Sequence, residues 1–225
     1  MDYVIIVAGG KGSRMGADTP KQFLELAGKP ILMRTMLRFV KYDPSLRLIV
    51  VLPDEQIDYW KDLCDRHAFQ ILHTIVAGGA TRFQSTRNGF TAIPADNQGL
   101  VAVHDGVRPL PSVDLLRRCF EAARKHHAVI PALPVTDTLR HVDKDGRVQT
   151  VDRSEFRLAQ TPQVFETGLL RFILSQPETD ALTDEAAALE RMGVEVGLVE
   201  GERTNLKITV PEDLALAEVI WKTQR

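Results

Sequence analysis

The chain has 225 residues, 44% of them hydrophobic and 26% charged, with a formal net charge of −2. That length suits one generous α/β domain whose core needs neither a disulfide framework nor a structural metal. The near-neutral balance excludes a general nucleic-acid binder or a membrane-surface protein, so any anion must be met by local basic residues.

Residues 3–8 read as a buried strand, entered without the basic start or cleavage pattern of a signal peptide. No later apolar run approaches membrane-spanning length, and the expected location is the cytoplasm. A Gly-rich loop follows, then a helix beginning near Pro30. Its Leu32, Met33, Met36, Leu37 and Val40 have helical spacing, and proline suits a first turn. Residues 47–52 form a second strand, and Asp54 is placed to cap a helix carrying Ile57, Trp60 and Leu63. Strand is expected over 70–76, helix over 81–93 and strand over 100–104. Ser112 caps a helix running to about His127, and strand follows over 128–135. Cys64 and Cys119 fall in helical patterns without metal-ligand spacing and read as reduced core thiols.

This alternation implies a Rossmann-like α/β fold, a mostly parallel sheet flanked by helices on both faces. Ligands bind such sheets at the carboxyl ends of the strands, which points to the loops after residues 8, 76, 104 and 135. Residues 138–152 break the rhythm. They alternate apolar and polar around Asp145-Gly146, a hairpin turn signal, and have little to bury on their own chain. They read as a β-hairpin arm projecting into a partner subunit. Beyond them, strand is expected near 157–165, helices near 167–175 and 183–192, and strands near 194–200 and 206–210. A last helix starts at Pro211 with Glu212 and Asp213 in its first turn. Residues 1–225 are expected to form one domain, with 138–152 as its arm.

The loop Ala8-Gly9-Gly10-Lys11-Gly12-Ser13-Arg14-Met15-Gly16 lets backbone N–H groups crowd an anion without a Cβ in the way. A Gly-rich turn alone is equally a tight strand-to-helix connection; Arg14 and the downstream Pro20-Lys21 tip it toward a triphosphate site. Gly10, Gly12 and Gly16 miss the dinucleotide spacing by one residue, and no Walker string is present.

With Pro20-Lys21-Gln22-Phe23, this run resembles the signature of sugar-nucleotide pyrophosphorylase-like transferases. More narrowly, it is similar to the 2-C-methyl-D-erythritol 4-phosphate cytidylyltransferase family. Six further blocks match in family order: Gly78-Gly79-Ala80-Thr81-Arg82 with Ser85, His104-Asp105-Gly106-Val107-Arg108-Pro109, Asp137-Thr138 with Val151-Asp152-Arg153, Gln160-Thr161-Pro162-Gln163, Thr183-Asp184-Glu185-Ala186, and Asn205-Leu206-Lys207-Ile208-Thr209.

The resemblance implies a nucleotide-diphospho-sugar transferase-like fold and a reaction in which methylerythritol phosphate attacks the α-phosphorus of CTP, with pyrophosphate leaving, as a step of non-mevalonate isoprenoid precursor synthesis. A phosphate monoester is already mostly dianionic at neutral pH, so positioning and charge neutralisation dominate and no Ser/His or Cys/His pair is required. By resemblance, Arg14 and Lys21 stabilise the transition state, with Arg153 and Lys207 completing the catalytic set. Ala8, Gly9, Gly10, Gly12, Gly79, Ala80, Ser85, Asp105 and Gly106 join Arg14, Lys21 and Lys207 in holding CTP. Asp105, Arg108, Thr138, Arg153 and Thr183 hold the acceptor, Thr138 and Arg153 across a homodimer with shared active sites. Asp105 is the Mg²⁺ candidate. Thr204 stands where some relatives carry an acidic residue, which takes a side chain from the expected second-ligand position. His104 reads as packed or hydrogen-bonded, His126 and His127 as helix-end residues, and Thr183 equally as a plain N-cap. Two other readings stay open at this stage: a ribitol 5-phosphate cytidylyltransferase and a catalytically silent nucleotide-binding regulatory module.

Overall fold

The structure, a computed structural model, describes residues 1–9, 19–178 and 184–224. From the strand Tyr3–Val7 (β1) the chain reaches a 3₁₀ turn at Lys21–Phe23 and a small hairpin, Glu25–Leu26 (β2) with Lys29–Pro30 (β3). Helix Ile31–Tyr42 (α1), strand Arg47–Leu52 (β4), helix Ile57–Arg66 (α2), strand His73–Ala77 (β5), helix Arg82–Phe90 (α3) and strand Leu100–Asp105 (β6) follow. Next come Val113–His126 (α4), Ala128–Pro134 (β7), a hairpin of Arg140–Val142 (β8) and Val148–Thr150 (β9), then Arg157–Ala159 (β10) and Gln163–Glu166 (β11). Helices Thr167–Ser175 (α5) and Glu185–Arg191 (α6), strand Gly197–Glu200 (β12) and helix Pro211–Thr223 (α7) end the course.

Among the described residues, eight strands form the main sheet, in the order β5-β4-β1-β6-β11-β7, with β10 and β12 paired to β7. β1 has parallel neighbours on both sides, β4 and β6, and β4 is parallel to β5. Val4 and Ile6 enter one apolar layer with α1, α2 and α4; Tyr3 and Ile5 enter the other with α3 and α5. Side chains alternate along an extended chain, so a strand buried on both faces must be apolar throughout, as β1 is. A third cluster, with Leu26, Ile31, Val107, Ile208 and Ala217, docks α7 beside the carboxyl end of β6.

The chain winds outward from β1 to β4 and β5, then returns to β6 on the other side of β1. That reversal is a topological switch point, where strand ends diverge and leave a crevice. Val7 and Asp105 are register partners there.

Several expected elements differ in detail. Asp54 does not cap α2; it begins a 3₁₀ turn, Asp54–Gln56, and no side chain caps the helix. The strand expected over 70–76 starts at His73, because its ladder with β4 begins opposite Leu48. The helix expected over 81–93 ends at Phe90, after which Ile93 N–H bonds back to the Phe90 carbonyl in a turn. The single strand near 157–165 is two strands separated by a cis Thr161–Pro162 bond, both antiparallel to their neighbours. Residues 206–210 are not a strand: Ile208 N–H bonds to the loop carbonyl of Val107 instead of to a ladder. The cap of α6 is Asp184, whose side chain accepts from Ala187 N–H; Thr183 lies outside the described residues. Ser112 does cap α4, accepting from Leu115 N–H.

The hairpin expected over 138–152 is present. Asp143 Oδ1 accepts from the N–H groups of Asp145 and Arg147, both at 2.9 Å, and Gly146 closes the turn at φ +78°. Val142 and Val148 face each other across it, 59% and 61% exposed.

Candidate active site

The carboxyl ends of β1 and β6 approach closely. Gly106 N–H donates to the Val7 carbonyl at 2.8 Å, and the Thr35 hydroxyl donates to the Gly106 carbonyl at 3.0 Å. A Cβ on Gly106 would lie 2.8 Å from that of Ala8, so this contact demands glycine. Ala8 is held in turn: its N–H bonds to the Val51 carbonyl, and its carbonyl accepts from Gln22 Nε2 at 2.8 Å. Gln22 therefore ties the turn bearing Lys21 to the end of β1.

Asp105 stands at the crevice as the last residue of β6, its side chain 11% exposed. Arg108 Nε and Lys207 Nζ each lie 3.1 Å from Oδ2, and Arg82 Nε lies 3.7 Å from Oδ1. Burial alone would raise the Asp105 carboxyl; Lys207, Arg82 and Arg108 reverse this and hold it well below the usual carboxylate range. One carboxylate thus gathers three cations, of which Arg82 and Lys207 line the crevice.

Each cation is positioned by the fold. Arg108 Nη1 donates to the Asn205 carbonyl at 2.9 Å, while Asn205 Nδ2 donates to the Thr161 carbonyl at 2.8 Å, which pins the Asn-x-Lys segment bearing Lys207. Arg82 opens α3 and donates from Nη1 to Glu185 Oε2 at 2.5 Å. Burial opposes its charge, but Glu185 and Asp105 more than restore it, so the guanidinium stays ionised.

Behind Asp105, a buried relay fixes the strand end. Asp105 N–H donates to Thr161 Oγ1 at 3.1 Å, Thr161 Oγ1 meets His104 Nδ1 at 3.0 Å, and His104 Nε2 meets the Arg108 carbonyl at 3.0 Å. A carbonyl only accepts, so Nε2 carries the proton and Nδ1 accepts from the hydroxyl. Burial pushes His104 down to about 4, leaving a neutral hydrogen-bonded histidine as expected.

The opposite wall is the turn into α3. The Thr81 hydroxyl caps the helix by accepting from Gln84 N–H at 3.1 Å. Ser85 Oγ accepts from Gly79 N–H at 3.1 Å and donates to the Thr81 carbonyl at 2.8 Å, and Ala80 N–H donates to Gln84 Oε1 at 3.1 Å. These bonds make the turn a rigid edge.

A cleft of about 220 Å³ lies between the walls, lined among others by Ala8, Gly9, Lys21, Gly79, Ala80, Ser85, Asp105 and Lys207. The structure brings these sequence-selected residues together, with Arg108 behind Asp105 and Gly106 packed against Ala8. Thr138 and Arg153 are exposed and do not line the cleft; Arg153 Nη1 donates to the Thr136 carbonyl at 2.5 Å. Gly10, Gly12, Arg14 and Thr183 lie outside the described residues. Arg82, Gln22 and Glu185 were matched only as parts of blocks and given no role, yet they build the site. Arg82 did carry a signal: a cation in the first turn of a helix opposes the macrodipole and needs a local reason.

A divalent cation would find one carboxylate here. Among the described residues no group of three His, Cys, Asp or Glu side chains converges. Oδ2 of Asp105 is taken by two cations, but among the described residues Oδ1 has only Arg82, beyond hydrogen-bond reach. That donor set fits an ion carried mainly by substrate phosphates, the usual habit of Mg²⁺. No described helix is long and apolar enough to cross a membrane.

Comparison with known proteins accords with this geometry. The family model described as 2-C-methyl-D-erythritol 4-phosphate cytidylyltransferase matches residues 3–223. A Bacteroides thetaiotaomicron protein of that name is 52% identical over 217 residues, covering 96% of this chain and 98% of the relative. One from Phocaeicola vulgatus is also 52% identical, over 218 residues, with 97% and 98% covered. The solved 4-diphosphocytidyl-2C-methyl-D-erythritol synthase of Anaerococcus prevotii superposes with a TM-score of 0.82 at 30% identity, covering 100% of this chain and 98% of that one. A Thermus thermophilus cytidylyltransferase gives 0.77 at 33% identity, with 99% and 100% covered. With motifs, fold and near-complete coverage in agreement, the chain belongs to the 2-C-methyl-D-erythritol 4-phosphate cytidylyltransferase family.

Proposed function

We propose that this chain joins CTP to 2-C-methyl-D-erythritol 4-phosphate, giving 4-diphosphocytidyl-2-C-methyl-D-erythritol and pyrophosphate, a step in isoprenoid precursor synthesis. A phosphate oxygen of the acceptor attacks the α-phosphorus of CTP. The bond from that phosphorus to the oxygen bridging to the β-phosphorus breaks, and its electron pair leaves with pyrophosphate. The observation that carries this reading is the cationic wall around Asp105, facing Lys21 and the Gly79–Ser85 turn across one cleft. Such a site is built to bring polyanions together and to neutralise charge developing at phosphorus.

Ala8, Gly9, Gly10, Gly12, Gly79, Ala80 and Ser85 form the cytidine and triphosphate cradle, with Gly106 keeping Ala8 in place. Arg14 grips phosphate oxygens with its planar fork, and Lys21 and Lys207 act as point charges on the triphosphate. Asp105 and Arg108 hold the acceptor polyol together with Thr183. Thr138 and Arg153 reach the acceptor phosphate of the neighbouring subunit, so that a homodimer shares its two sites and 138–152 serves as its arm. Support comes from the exposure of the hairpin and of Arg153, neither of which lines the cleft among the described residues. Asp105 would be the protein ligand of a Mg²⁺ held mainly by substrate phosphates. When bound, that ion supplies charge neutralisation to the triphosphate. We assign the protein to the cytoplasm. The test is acceptor-dependent pyrophosphate release from CTP.

A further inference from the structure

Arg82 occupies a place that the substrate assignments leave unused. It begins α3, the helix that bears Ser85 and follows Gly79 and Ala80, so its backbone belongs to the nucleotide side of the cleft. Its side chain points to two carboxylates on two other elements. Nη1 reaches Glu185 Oε2 in the first turn of α6 at 2.5 Å, and Nε faces Asp105 Oδ1 at the end of β6 at 3.7 Å.

The two contacts are unequal, and the surroundings explain why. The Glu185 side chain has no solvent exposure, and Thr86, one turn along α3, donates to its Oε1 at 2.8 Å. A buried carboxylate must be paired, so it claims Arg82 firmly. Asp105 already has Arg108 and Lys207 on Oδ2 and claims Arg82 weakly. Glu185 therefore holds the guanidinium back from Asp105. The fork is not saturated: Arg82 Nη2 is buried without a hydrogen-bond partner among the described residues, so the group has a donor to spare when the charge around it changes.

We propose that Arg82 and Glu185 are a positioning pair that couples the nucleotide subsite to the acceptor subsite. Triphosphate in the cleft draws the lining guanidinium further from Asp105, so that Oδ1 can accept from an acceptor hydroxyl with one lone pair while the other stays open to a phosphate-borne cation. Nucleotide thereby tightens acceptor binding, because Arg82 interacts differently with Asp105 in the two states. Without the Glu185 charge, Arg82 settles on Asp105 whether or not nucleotide is present, and the coupling is lost. This inference rests on the subsite assignment above.

The test is calorimetric titration of the full chain with 2-C-methyl-D-erythritol 4-phosphate, with and without saturating α,β-methylene-CTP, which cannot be turned over. For the unaltered protein the analogue is expected to tighten acceptor binding about 10-fold, a typical coupling. In Glu185→Gln that tightening falls to about twofold or less, while affinity for the analogue alone stays within about threefold. A merely structural role would weaken both ligands together. The Gln163 side chain, bonded to Asp184 Oδ2 at 2.7 Å and to Ala186 N–H at 3.2 Å, keeps the start of α6 in place in this variant. Arg82→Lys is the second variant: it keeps the charge, loses the fork that spans both carboxylates, and is expected to lose the coupling equally. The proposal is overturned if either folded variant retains the full tightening, or if the unaltered protein binds both ligands without any. Failure of the unaltered protein to bind either ligand would instead sink the functional reading, and this inference with it.

Discussion

Lys21 lines the cleft on a turn that Gln22 ties to Ala8, which suits the triphosphate contact proposed for it. With the transition-state role proposed for both residues, Lys21→Ala and Arg14→Ala are each expected to lower kcat about 100-fold or more. Steady-state kinetics on variants of unchanged secondary structure checks this, and turnover at the unaltered rate would remove them from the catalytic set. His104 supplies a second prediction. An unfolded histidine near 6.5 takes up a proton before the folded one, which burial depresses to about 4. Stability from the neutral ring is therefore complete above about pH 6.5 and is lost as pH falls toward 4, by about 3 kcal/mol in all. Urea unfolding at stepped pH should show this slope, and His104→Gln should flatten it; the Asp105 carboxylate is lost only at still lower pH. Lys21, Asp105, Ser85 and Lys207 were legible in the sequence because each stands in a block with a recognisable neighbourhood. Arg82 and Glu185 were not assigned: they are 103 positions apart, and a charged residue discloses its purpose only through the partner it meets.

The parallel half of the sheet was legible because a strand buried on both faces must be a continuous apolar run, and the helices between carry a clear apolar stripe. The antiparallel half was less so. Gln160 and Thr161 interrupt the run near 157–165, because their side chains fasten Glu202 and His104 and do not fill a layer. Residues 206–210 have strand-like apolar composition for another reason: Ile208 belongs to the cluster that docks α7. Helix α3 illustrates how closely elements lie over the sheet. A Cβ on Gly89 would come within 2.7 Å of Val51 Cγ2 and 2.8 Å of Ile5 Cγ2, so Gly89→Ala must lift α3 from the strands. The expected loss is about 1–3 kcal/mol of stability by chemical denaturation. Because α3 carries the Gly79–Ser85 edge and Arg82, CTP affinity should fall with it; an unchanged midpoint would show that α3 has room to move.

For the whole molecule, the proposed sites each lie between two copies of the chain, a reading that the exposed arm and Arg153 support. On that proposal, Arg153→Ala would remove the acceptor contact supplied to the neighbouring copy, and Lys21→Ala would disable the nucleotide side of its own copy. A heterodimer of the two variants has one site with both defects and one with neither, and should recover about half the unaltered rate. Heterodimers isolated by two affinity tags, with no recovered activity, would contradict shared sites. The most direct test of the central claim is side-by-side turnover of 2-C-methyl-D-erythritol 4-phosphate and ribitol 5-phosphate with CTP, followed by pyrophosphate release and product mass. Release is expected only when acceptor is present, with a higher kcat/KM for the methylerythritol substrate. Preference for ribitol 5-phosphate, or pyrophosphate release that needs no acceptor, would contradict it.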